Sequence, residues 1–278
     1  MTFKRFDIAF FEDKEKARWE ANWAHATAGN YGSLAWIEAN YAFCLFDEQS
    51  RSYLEDQGYR TFVDVGSGDG KWMIYFAKRF GYRVAGVDYS ANACRLCREN
   101  LARAGVTGEV IPLDFLHQEA PGRYDVVYLG GVIEHYQDPL AVLSKAMTYL
   151  SPGGTLINWI PTSLGLSSLY VRLFDPEQRQ RVIPIDKPKI EAWYRALGLG
   201  RIEVLYNGSL CLNTFPIQRI KAEAPALHAS MVFPIGQAVN KIVNRSLLAF
   251  HRRLDVRIEG KLISPFLIAY GMKVASPR

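Results

Sequence analysis

Apolar residues in the first fifth of the chain recur at three- and four-residue steps. Trp19, Trp23, Leu34, Ile37, Tyr41 and Leu45 follow this helical rhythm from Phe10 to about Leu54, broken once at Gly29-Asn30-Tyr31-Gly32-Ser33. Two helices joined by a tight loop are predicted. The rhythm then changes: residues 61–65, 83–87, 109–113, 124–129 and 155–160 are short β-branched or apolar runs, separated by helical stretches near 71–80, 90–104 and 140–150. Strand and helix alternating at this spacing predict βαβ units, hence an α/β fold with a parallel sheet and helices on both faces. Such sheets bind ligands beyond the carboxyl ends of their strands. Later in the chain, 189–197 reads as a helix, 202–206 as a strand, 238–254 as an amphipathic helix and 266–274 as a last strand.

The first strand ends in Val63-Asp64-Val65 and runs into Gly66, Gly68 and Gly70 before the next helix starts at Lys71. Glycines there let the backbone turn sharply and approach a ligand, while the helix N-terminus offers free N–H groups to a negative group. A phosphate-binding loop of the form G-x-x-x-x-G-K-[ST] would need glycine where Val65 stands and a hydroxyl where Trp72 stands. A dinucleotide fingerprint, G-x-G-x-x-G, would need its third glycine at Lys71. What remains is D-x-G-x-G-x-G. The next two strands also end in acids, Asp88 in Gly86-Val87-Asp88-Tyr89-Ser90 and Asp114 in Leu113-Asp114-Phe115. A lone aspartate at a strand end is usually a turn or helix cap; three at consecutive strand ends point to a ligand. The fourth strand leads into Gly130-Gly131-Val132-Ile133-Glu134-His135, and Ser151-Pro152-Gly153-Gly154 predicts a turn before the fifth.

In these motifs, in unbroken order over residues 61–160, the chain resembles the class I S-adenosylmethionine-dependent methyltransferases. The Ile133-Glu134-His135 segment is similar to the L-E-H segment of small-molecule members, particularly the ubiquinone-biosynthesis O-methyltransferases. The resemblance implies a Rossmann-like, seven-stranded, mostly parallel sheet whose last strand is antiparallel. It also implies S-adenosyl-L-methionine as cofactor. Asp64, Gly66, Ser67, Gly68 and Gly70 would hold its methionine end, Asp88 its ribose hydroxyls, Tyr89, Asp114 and Phe115 its adenine, and the backbone of Leu129 and Gly130 would touch it. Three regions are expected: a helical N-terminal lid over 1–58 with Tyr31 as a lid residue, a cofactor-binding core over 59–162, and a C-terminal half over 163–278 with a substrate-determining helical insertion at about 208–262.

Methyl transfer from a sulfonium is an in-line displacement of an already activated group, so the protein mainly aligns and desolvates. A base is needed only where the acceptor loses a proton, and His135 is the candidate, a packed histidine fixing the loop being the other reading. In the ubiquinone enzymes a Glu three residues before the E-H pair helps bind a metal; here that position is Gly131, and no metal is expected. Cys94-x-x-Cys97 lies inside a predicted helix with no second Cys/His pair nearby and reads as one helical face. Four cysteines are too few and scattered for a disulfide framework, the N-terminus does not read as a signal peptide and no apolar run is long enough to span a bilayer, so a cytoplasmic setting is expected.

Charge adds one feature. Residues 1–150 hold 16 Lys/Arg against 20 Asp/Glu, and residues 151–278 hold 17 against 8. The basic half is expected to face an anionic or lipid-linked acceptor or to rest peripherally on the inner membrane surface, the alternative being a merely solvated face. The predicted helix at 238–254 sharpens this, with Val239, Ile242, Val243, Leu247, Phe250 and Leu254 on one face and Lys241, Arg245, Arg252 and Arg253 away from it; the other reading is a helix whose apolar face packs on the domain or on a second subunit. The reaction expected is methylation of an oxygen of a small molecule, sugar or lipid-linked glycan. The alternatives are N-methylation, a nicotinamide oxidoreductase and a non-catalytic binding module. Nucleic acid is disfavoured, because no N-P-P-Y-like segment follows the fourth strand.

Overall fold

The computed structural model describes residues 8–55, 57–162, 164–174, 182–211 and 233–274. Helices α1 (Ile8–Ala24), α2 (Ala35–Glu38) and α3 (Tyr41–Leu54) precede β1 (Thr61–Val65), α4 (Lys71–Phe80), β2 (Arg83–Asp88), α5 (Ala91–Ala104), β3 (Gly108–Pro112) and β4 (Tyr124–Gly130). A 3₁₀ turn at Ile133–His135, α6 (Pro139–Ala146), β5 (Leu150–Pro161), α7 (Leu166–Phe174), α8 (Lys187–Ala196), β6 (Leu199–Asn207), α9 (Phe233–Leu254) and β7 (Phe266–Lys273) follow. The seven strands run in the order β3-β2-β1-β4-β5-β7-β6 in one mixed, mostly parallel sheet, the Rossmann-like α/β arrangement expected from the motifs. Two compact units can be distinguished: residues 1–33, 59–156 and 273–278 in the first, 34–58 and 157–272 in the second.

In the first unit β1 pairs in parallel with both β2 and β4, and β2 with β3. All but the first residue of β1 and of β2 is buried, as expected of strands covered on both faces. The register sets Val65 beside Val87 and Asp88 beside Pro112, so the carboxyl ends of three strands come level. An aromatic cluster holds α4 on the sheet: Phe62 stacks on Phe76 at 4.1 Å, and Trp72 lies against Tyr128 at 5.6 Å. Burying each of these side chains is worth roughly 1.5–3 kcal/mol. Ser90 caps α5 by accepting from the Ala93 N–H, and Asp138 caps α6 with Pro139 as its first residue. Cys94 and Cys97 are buried on one face of α5 as free thiols, and burial pushes Cys94 up to about 11.

Three elements differ from expectation. Helix α6 stops at Ala146, not 150: the Thr148 hydroxyl donates back to the Lys145 carbonyl, and Lys273 Nζ donates to the carbonyls of Met147 and Leu150. Ser151-Pro152-Gly153-Gly154 is not a turn ahead of β5 but part of it, with Gly153 at φ +76° and its carbonyl accepting from the Tyr59 hydroxyl. The N-terminal region holds three helical pieces instead of two, because Asn40 caps a fresh helix by accepting from the Phe43 N–H.

In the second unit α3 buries Tyr41, Leu45, Phe46 and Tyr53, and α9 packs Leu247 and Leu248 against Tyr41 and Leu45. The Asn244 side chain accepts from the Tyr41 N–H and donates to the Ala39 carbonyl. Glu48 takes His251 on one oxygen at 2.7 Å and Arg257 on the other at 2.9 Å. Tyr194 sits in the core between Asn158 and the Ala269 carbonyl. The buried face of α9 therefore differs from the expected stripe: Leu247, Leu248 and His251 are inside, while Ile242, Phe250 and Leu254 are exposed. Periodicity gave one apolar face, and the fold covers only part of it, with Val243 and Leu247 against α3, while adding Leu248 and His251 from beside it. Among the described residues no helix is long and apolar enough to cross a membrane.

Candidate active site

A cavity lies at the carboxyl ends of the first unit's strands. Its floor is Gly66 after β1, Val87, Asp88 and Tyr89 after β2, Leu113 and Phe115 after β3, and Gly130 to Val132 after β4. His135 and Tyr136 close one side; Lys16, Trp19 and Trp23 of α1 form the roof.

The loop between β1 and α4 holds Gly66, Gly68 and Gly70 at φ +79°, +51° and +76°, a left-handed backbone that residues with a Cβ rarely adopt. Gly68 is doubly constrained, since a Cβ there would lie 2.7 Å from the Trp23 ring. Asp88 fixes this loop. One of its oxygens accepts from the Gly68 N–H and the other from the Ser90 N–H, both at 2.9 Å. Burial pushes its carboxyl up, against the two backbone donors that pull it down. Asp64 is buried, and one of its oxygens has no hydrogen-bond partner. Burial first, then the neighbouring Asp69 and Asp88, hold it well above the usual carboxylate range. The hydroxyl of Ser67 is likewise buried without a partner.

Of the residues singled out from sequence, Gly66, Asp88, Tyr89, Phe115, Gly130 and His135 line the cavity. The others are not on its wall, for identifiable reasons. Trp23 lies over Gly68, and Asp64, Ser67 and Gly70 are buried beneath the loop, leaving Gly66 as its exposed residue. Asp114 is engaged by Lys16 Nζ at 2.6 Å, and Leu129 is wholly buried behind Gly130. Tyr31 donates to Asp69 at 2.5 Å, while the loop before it is held by Asn100, which accepts from the Gly29 N–H and donates to the Asp69 carbonyl. Burial, then Asp69, push the Tyr31 phenol up.

The roof was not read from the sequence. Trp19 and Trp23 stand four residues apart, a spacing that looks like any packed helix face; that both occur ahead of a glycine loop was the available signal. Trp19 meets His135 edge-on at 5.7 Å. Glu134 was also passed over: it is 3% exposed, one oxygen lacks a partner, and the other lies 3.9 Å from His135 Nε2.

Burial pushes the Glu134 carboxyl up to about 8 from 4.5. The folded chain thus keeps a proton that the unfolded chain loses, and stability falls as pH rises from about 4.5 to about 8, then levels. A Glu134→Gln variant removes this dependence. The stability difference between parent and variant, from urea unfolding, is expected to shift by about 3–5 kcal/mol against the parent over that window; a constant difference would show that Glu134 titrates normally.

Residues 62–154 match the family described as "Methyltransferase domain". The "Ubiquinone biosynthesis O-methyltransferase" of Xanthomonas euvesicatoria is 30% identical over 156 residues, 52% of this chain and 64% of that protein. The "Ribosomal RNA small subunit methyltransferase C" of Alcanivorax borkumensis is 33% identical over 118 residues, 41% of this chain and 34% of that protein. The chain thus spans less than two thirds of the length of either relative. A crystal structure of a "SAM dependent methyltransferase" from Archaeoglobus fulgidus aligns with 82% of this chain and 93% of its own at TM-score 0.51 and 18% identity, a likeness of fold. Fold, strand order, glycine loop and sequence match agree: residues 62–154 are a methyltransferase domain of the class I, S-adenosylmethionine-dependent kind.

Proposed function

We infer that this chain binds S-adenosylmethionine and methylates an oxygen of a small molecule or glycan, the acceptor being anionic or lipid-linked and met at the cytoplasmic face of a membrane. The observation that carries the cofactor half is Asp64, whose buried carboxyl oxygen lacks a partner beside a loop of left-handed glycines. A buried unpaired oxygen among acids calls for a cationic donor, and the methionine ammonium is one. The residues present also suit the rest of that ligand. Asp88 uses two of about four acceptor sites on backbone N–H groups and keeps capacity for two hydroxyls. Tyr89, Leu113 and Phe115 offer an apolar slot for a flat base.

The bound sulfonium supplies an activated methyl group to a nucleophile in line with it. The chain's own residues do the remainder. Trp19 and Trp23 exclude water from the cavity, and His135 takes the proton that an acceptor hydroxyl gives up as its oxygen forms the new bond. The basic excess after residue 150 supports an anionic acceptor, and Gly131 in place of a carboxylate supports transfer without a metal.

Calorimetric titration separates this reading from a nicotinamide oxidoreductase. S-adenosylmethionine and S-adenosylhomocysteine are expected to bind and NAD(H) not to. Binding of NAD(H) alone would reject the assignment. Binding of both sulfur nucleosides with no transfer to phenols, sugars or lipid-linked glycans would favour a non-catalytic module.

A further inference from the structure

We propose that α7, α9 and the segment joining α9 to β7 form a docking surface that lies on an anionic lipid bilayer. Among the described residues, ten of the twelve exposed large hydrophobic side chains fall in these three elements; Leu164 lies just before α7 in the same unit, and Val274 belongs to the first unit. Such side chains scattered singly need no explanation, but gathered in one region they mark a binding surface. On α7, Leu166, Leu169 and Leu173 are 48–64% exposed at i, i+3 and i+7, one helical face. On α9, Ile235, Ile242 and Phe250 form a second exposed stripe, distinct from the Leu247, Leu248 and His251 face that packs inward. The two helices are joined. The chain leaving α9 keeps Val256, Ile258 and Leu262 exposed, and the Leu262 carbonyl accepts from the Leu166 N–H at 2.9 Å.

The charge pattern selects the occupant. Residues 233–262 carry six Lys/Arg against two acids, and all six basic residues are exposed. Lys241, Arg245 and Arg252 recur at i, i+4 and i+11, beside the apolar stripe and not within it. A helix with an apolar stripe and a basic flank rests in the interfacial plane of a bilayer, its apolar side chains among the acyl tails and its cations among anionic headgroups. A second copy of the chain would set this positive surface against itself, which disfavours a two-fold dimer here. The surface stands whatever the methyl acceptor is, because no cavity residue contributes to it.

Co-sedimentation with vesicles of phosphatidylcholine, with and without phosphatidylglycerol, tests the proposal. The full chain is expected to pellet with the anionic vesicles only, and at least tenfold less at high salt. Each basic residue at such a surface is worth about fivefold in partitioning, so Lys241→Gln, Arg245→Gln and Lys261→Gln together are expected to weaken binding by about a hundredfold. Leu169→Gln, Leu173→Gln and Phe250→Gln together are expected to abolish it. All six positions are exposed, and S-adenosylhomocysteine affinity reports that the fold survives. No binding of the parent to anionic vesicles at low salt would overturn the proposal, as would variants that bind like the parent. A dimer in light scattering that the apolar variants dissociate, without vesicle binding, would reassign the surface to a second copy.

Discussion

An Asp88→Ala variant is expected to bind S-adenosylhomocysteine on the order of 10²–10⁴ times less tightly than the parent. The figure follows from two charge-assisted hydrogen bonds to the ribose at roughly 1.5–3 kcal/mol each. The structure adds a second consequence. Asp88 already accepts from the Gly68 and Ser90 N–H groups, so alanine leaves two buried donors unpaired and loosens the glycine loop. Each such donor costs about 1–3 kcal/mol, so the variant should also melt at a lower temperature. Titration well below that temperature separates the effects, and Asp88→Asn, which keeps one acceptor oxygen, should recover part of the stability and less of the affinity. An unchanged dissociation constant for the alanine variant would place the ribose elsewhere.

The parts of this molecule that could be read from sequence are those whose physics is local. Gly66, Gly68 and Gly70 needed left-handed backbone, and they have it; the acids at 64, 88 and 114 were placed near strand ends by the short apolar runs of β1, β2 and β3, and they lie one residue before the end of β1, at the end of β2 and two residues past β3. Contacts that close over long separations were not legible. Lys16 reaches Asp114 across 98 residues and Trp23 reaches Gly68 across 45, and no periodicity encodes either partner. They decide which candidates face the cavity: α1 covers the glycine loop and occupies Asp114, leaving Gly66, Asp88 and Gly130 on the wall. Helix α9 shows the same limit from the other side. Its apolar spacing predicts a helix over 238–254, within the observed 233–254, yet Phe250 and Leu247 are only three residues apart and the first faces solvent while the second packs on α3. An apolar stripe states that something must cover it, and only the fold states whether that is the chain itself.

His135→Ala is expected to lower turnover by about 10²–10⁴ with little change in cofactor affinity. The geometry supports a role at the acceptor: His135 lines the cavity, its ring is set edge-on by Trp19, and it is only partly buried, with a side-chain exposure of 16%. Its Nε2 lies 3.9 Å from Glu134, beyond a hydrogen bond, so Glu134 is not a fixed anionic partner of the ring. With its carboxyl pushed up to about 8, Glu134 is largely protonated at neutral pH and sets no fixed negative charge beside the imidazole. Glu134→Gln, which keeps a neutral group of the same shape, should retain most of the parent's rate near pH 7, whereas Glu134→Ala should lose more by leaving a void under the 3₁₀ turn. Turnover is also expected to persist in EDTA, since Gly131 supplies no carboxylate beside this pair. Parental turnover in His135→Ala would make the ring a packing partner of Trp19, and loss of activity in EDTA with recovery on adding Mg²⁺ would reject transfer without a metal.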